Sequence, residues 1–145
     1  KVSILRGLIR KAGIYMYLNR RKFNEFIILV DEGITHSSHN FLVSSSEEKS
    51  KGLIKAFANL CPLPDSLIYI DANKEIVLER LIKRGDLSPR IESKEHLRPF
   101  VENAINMYST LIPQLKKRLD ILEINTSRKE NNVDNKSTLD YILRS

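Results

Sequence analysis

Residues 25–35 read EFIILVDEGIT. Residues 26–30 are uninterrupted apolar chain, three of the five β-branched, with polar residues on either side. That is the pattern of a short strand buried on both faces. The run stops at two carboxylates, Asp31 and Glu32, followed by Gly33. Paired acids at the tip of such a strand place negative charge at the rim of a dry core, where α/β proteins carry out their chemistry.

Upstream, Val2, Leu5, Leu8, Ile9, Ala12, Tyr15, Met16 and Leu18 recur near helical spacing with basic residues between them, which predicts a helix over 2–19. Downstream, residues 35–60 read as helix in two pieces broken near the serines at 44–46, and CPLPD (61–65) stops it. LIYI (67–70) is a second buried strand, ending at Asp71. NKEIVLERLIKRG (73–85) is a helix that Asn73 caps and Gly85 closes.

Residues 86–94, which include Pro89, form a polar loop. A longer helix then carries Leu97, Val101, Ala104, Ile105, Tyr108, Leu111, Ile112, Leu115 and Leu119 on one stripe, with Pro113 expected to kink or divide it. ILEI (121–124) is a third strand, and KSTLDYILRS (136–145) closes the chain as a short helix. Strands alternating with helices predict an α/β fold: a three-layer parallel sheet with helices on both faces. The three predicted strands finish in polar groups, at Asp31 and Glu32, at Asp71, and at Asn125 and Thr126.

Composition narrows the class. A chain of 145 residues, 41% hydrophobic and 29% charged, is expected to form one domain with a real core. One cysteine, Cys61, excludes an internal disulfide framework, and the usual default of a reducing compartment makes the cytoplasm the expected location. Arg6, Arg10 and Lys11 interrupt the apolar N-terminal segment, so no membrane partner is expected. The formal charge of +6 points to an anionic partner.

PDSLIYIDANKEIVLERLIKRGD (64–86), an arginine in the following polar loop, a long helix bearing a tyrosine, and then ILEIN (121–125) together resemble the C-terminal part of P-loop nucleoside and nucleotide kinases. The thymidylate kinase and deoxynucleoside kinase group is the nearest in pattern. The resemblance spans roughly residues 25–127, and the stretch at 27–32 is similar to a Walker B-like strand. It implies a P-loop NTPase-like fold, ATP and Mg²⁺ as cofactors, a small-molecule phosphate acceptor, a lid loop at about 85–95, and a homodimer as one compatible assembly.

The resemblance also assigns roles. Asp31 or Glu32 would take the proton of an acceptor hydroxyl, or hold a magnesium-bound water in the case of Asp31. Arg80 and Arg84, four residues apart on one helix face, and Arg90 in the loop would face the phosphates from the lid side. Arg80 and Arg84 could equally be cations complementing a helix C-terminus. Asn125 and Thr126 would line the adenine, a turn or capping cluster being the alternative. His36 and His39 would lie on the acceptor side; as a metal pair they lack a third ligand.

Two departures shape the expectation. The glycines are 7, 13, 33, 52 and 85, and none begins a G-x-x-x-x-G-K-[ST] motif. With no initiator methionine, this is the pattern of a fragment: a single, partial kinase-like domain over 1–145, incomplete at its N-terminus and inactive alone. The family usually follows the acid with arginine, whereas Asp31 is followed by Glu32, which would repel a phosphate. A neutral hydroxyl acceptor fits better, as does plain ATP hydrolysis with Glu32 orienting water. The alternatives are a P-loop ATPase or a non-catalytic nucleotide or nucleic-acid binding module, although the basic N-terminal helix belongs to no recognisable nucleic-acid module.

Overall fold

The structure, a computed structural model, describes residues 2–21, 26–31, 33–46, 48–85, 91, 93–127 and 140–141, with side chains from residue 5 onward. Its elements are α1 (Val2–Arg21), α2 (Ile34–Leu42), α3 (Lys51–Leu60), β1 (Ser66–Asp71), α4 (Lys74–Arg84), a 3-10 turn (Lys94–His96), α5 (Leu97–Leu115) and β2 (Asp120–Asn125). The chain is mixed α/β and mostly helical, with a two-stranded parallel sheet among the described residues. Among those residues no helix is long and apolar enough to cross a membrane.

Local chemistry sets the helix ends. Ser50 opens α3 by accepting from the Leu53 amide at 3.3 Å, and Asn73 opens α4 by accepting from the Ile76 amide at 3.0 Å. Each satisfies a donor that the first helical turn leaves without a partner. Gly85 ends α4 at φ 71°, the left-handed conformation that costs glycine nothing. Gly33, at the start of α2, serves a different need. A Cβ there would lie 2.6 Å from the Tyr15 hydroxyl, so its absence lets the buried ring of α1 close onto α2.

Helix α5 is the spine of the core. Phe100, Val101, Met107, Leu111, Ile112 and Leu115 are buried along it, against Ile54 and Ala58 of α3, Leu42 of α2 and Leu78 of α4. Asn103 donates to the Ser44 carbonyl at 2.8 Å, and Lys74 of α4 reaches Glu102 at 3.0 Å. The expectation that Pro113 divides this helix is corrected. It sits in the last turn of one continuous span to Leu115, where few residues follow that need the ladder.

β1 and β2 run parallel in the register Leu67 with Ile121 and Ile70 with Ile124, one residue longer at each end than the apolar runs predict. One sheet face, through Leu67, Tyr69 and Ile121, packs on the core. Arg118, just before β2, donates to the Ala58 carbonyl, and Lys116 pairs with Glu123 at 2.9 Å.

The third predicted strand is not formed. Residues 26–30 have no regular structure, and all five side chains are exposed, Leu29 by 77%. A parallel strand draws its stability from paired neighbours and from cover on both faces. Among the described residues the sheet is β1 and β2 alone, and residues 26–30 lie exposed outside it. Asp140 and Tyr141 are helical, and the rest of the predicted closing helix lies outside the described residues.

Candidate functional site at the carboxyl ends of the strands

Because β1 and β2 are parallel and in register, Asp71 and Asn125 finish side by side. The chain leaving β2 turns across the end of β1. The Thr126 amide donates to the Asp71 carbonyl at 2.7 Å, and the Thr126 hydroxyl donates to the same oxygen at 3.1 Å. Ser127 Oγ accepts from the Asn73 amide at 2.8 Å, while the Ser127 amide donates to Asn125 Oδ1 at 2.9 Å. Short polar side chains thus stitch the two strand ends together.

Arg80 completes this rim from α4. Its Nη1 donates to Thr126 Oγ1 at 3.0 Å and its Nη2 to the Thr126 carbonyl at 2.9 Å. The planar fork of guanidinium suits two such acceptors on one residue. Arg84, one turn on, is exposed. The structure therefore brings Arg80, Asn125 and Thr126 together, which sequence spacing alone did not indicate.

A second line of side chains leads to the same edge. His36 and His39 of α2 have ring centroids 6.2 Å apart. His39 lies nearly parallel to Tyr108 of α5 at 6.4 Å and meets Phe100 edge-on at 5.3 Å. Tyr108 lies 5.8 Å from Tyr69 of β1, whose hydroxyl reaches Asp71 Oδ1 at 3.5 Å. Burial, and then the negative charge of Asp71, push the Tyr69 hydroxyl well above its ordinary pKa. It stays a proton donor to Asp71 throughout the neutral range. Tyr69 and Tyr108 were not singled out as site residues; the two-residue period of a strand, which sets Tyr69 and Asp71 on one side, was the available signal.

Asp31 stands in an exposed turn after residues 26–30. Among the described residues no hydrogen bond or ion pair joins it to Arg80 or Arg84. Glu32 and Arg90 lie outside the described residues. Cys61 is buried, and burial raises its thiol pKa despite nearby Arg118, which disfavours the thiolate.

Magnesium and the ATP phosphates can be tested against these residues. Among the described residues no three of His, Cys, Asp and Glu form a metal group. Of the predicted acidic pair Asp31 is described and exposed; magnesium commonly takes one or two carboxylates, with waters and substrate phosphates completing its octahedron. The sequence has no glycine-rich phosphate cradle, and Arg80 is already engaged by Thr126. A separate open cleft of about 570 Å³ runs between α4 and α5 over Leu78 and Leu97, edged by Glu75, Lys83, Lys94 and Arg98. It includes none of the predicted site residues.

No protein-family model, curated protein or solved structure matches the chain.

Proposed function

We propose that this chain is a nucleotide-binding domain of the nucleoside and nucleotide kinase-like class, taking the nucleotide at the rim made by the carboxyl ends of β1 and β2. The finer architecture in this reading is the three-layer P-loop type, of which the described residues supply two strands. One observation carries the proposal: Arg80, on the helix after β1, grips Thr126, on the loop after β2. Those two segments bear most of the resemblance, and they meet where open parallel sheets bind ligands.

In this reading the 125–127 loop lies along the base through main-chain groups and short side chains, and Arg80 holds that loop in place. Asp31 is the acceptor-side base, and His36 and His39 approach the acceptor from α2. With no Walker A motif in its 145 residues, the chain is proposed to bind nucleotide without transferring phosphate.

The test is an equilibrium titration of the chain with a fluorescent ATP analogue, beside a radiolabelled transfer assay using a panel of nucleosides. Saturable binding weakened by Arg80→Ala, with no labelled product, is the expected result. No binding at millimolar nucleotide would overturn the reading. Salt-sensitive polynucleotide binding without nucleotide binding would instead support the nucleic-acid module.

A further inference from the structure

The N-terminal helix is not explained by the nucleotide reading. Helix α1 carries Arg6, Arg10, Lys11, Arg20 and Arg21 and no Asp or Glu. Its inner face is settled: Tyr15 is buried, and Leu8 and Ala12 pack on the core. Next to that face Leu5, Ile9 and Met16 are exposed by 50%, 63% and 52%. At about 100° per residue these three fall within an arc of roughly 40°, with Ala12 at its inner margin. The order Leu5, Ile9, Ala12, Met16 has the alternating four-and-three spacing of a helix-packing seam.

Three of the five cations lie together beyond one edge of the stripe, while Arg20 adjoins it and Lys11 lies on the other side. Arg6, Arg10 and Arg21 project roughly 60–120° round from the stripe on the same wheel, and Arg21 rests over the Tyr17 ring at 5.4 Å. We infer that α1 is a docking helix for a second protein that presents an acidic amphipathic helix. The apolar seam of the partner would cover Leu5, Ile9 and Met16, and its flanking carboxylates would face the basic side.

Each other occupant meets a physical objection. An interfacial lipid-binding helix needs one broad apolar face set apart from its cations, whereas the other exposed apolar residues of α1, Ile14 and Tyr17, lie among Arg6, Arg10 and Arg21. A nucleic acid would use the cations but gain nothing from Ile9 and Met16. A second copy of this chain would bring to the contact the same five cations and no acid, and both chains carry a net charge of +6.

The test uses the whole chain and a labelled synthetic peptide with leucine at heptad positions a and d and glutamate at e and g. Fluorescence anisotropy should show saturable binding that weakens at least about tenfold with Ile9→Ser and Met16→Ser together, and similarly with Arg6→Glu and Arg10→Glu. The replaced residues are exposed, so circular dichroism should show the fold retained. If the charge-reversal variant misfolds, the seam variant alone decides. Absence of binding, equal binding of a peptide with lysine at e and g, or equal binding of a seam-scrambled peptide would overturn the inference. So would seam-dependent self-association by sedimentation, or capture only by phosphatidylserine vesicles or polynucleotide.

Discussion

Arg80 holds Thr126 at two points, its hydroxyl and its main-chain carbonyl, although the residues are 46 apart in sequence. The Thr126 hydroxyl donates to Asp71 while accepting from Arg80, so its capacity is used in both directions. Arg80 thus adds a tie from α4 to the bonds that Thr126 and Ser127 already make across the strand ends.

Replacing Arg80 by Ala should release that loop. The loss in stability should be modest, about 1 kcal/mol, because the bonds are charge-assisted but exposed. The sharper readout is hydrogen exchange: the Thr126 amide, which donates to Asp71, should lose protection, while amides in α5 should not. Arg80→Lys should rescue little, since an ammonium is a point donor without the planar fork.

The Tyr69 hydroxyl gives a pH signature. Its folded pKa is raised above the ordinary value of 10.0 by burial first and by Asp71 second. Its contribution is therefore complete below pH 10 and is lost as the pH climbs from there towards the folded pKa. Wild-type stability should fall faster above pH 10 than that of Tyr69→Phe. The limit is about 1.4 kcal/mol per pH unit for one proton, reduced because solvent screens a half-buried ring. Urea midpoints measured between pH 9 and 11 read the difference.

The ends of α4 were legible because caps are local. Asn73 accepts from an amide three residues on, and Gly85 needs only its own φ angle. Glycine to alanine at 85 should cost about 1 kcal/mol through the left-handed backbone alone, since no neighbour lies within 4 Å of the added carbon. Asn73→Ala should cost a similar amount by orphaning the Ile76 amide. Thermal or urea unfolding checks both.

What the sequence left unread is non-local. The apolar runs of β1 and β2 announce strands, and the serines at 44–46 and CPLPD at 61–65 announce helix ends, because each depends on residues within a few positions. Nothing near Arg80 points to Thr126, and nothing near His39 points to Tyr108 and Phe100 across the α2–α5 contact. Residues 26–30 fail for the same reason in reverse. Their composition fits a buried strand, but a strand exists only beside another, and the described sheet is made of β1 and β2 without this run.

That difference is measurable with two leucines. Leu111 is wholly buried in α5, and Leu111→Ala should cost about 3 kcal/mol through lost transfer energy and an unfilled cavity. Leu29 sits in the apolar run that the sequence marked as core, yet 77% of it faces outward. Leu29→Ala should change stability by no more than about 0.5 kcal/mol, the ordinary range for a surface site. Leu29→Glu should do little more, because no desolvation of the carboxylate is required. Urea unfolding of the three variants separates the cases: a loss at position 29 approaching that at position 111 would mean that 26–30 is covered after all, as the strand reading requires.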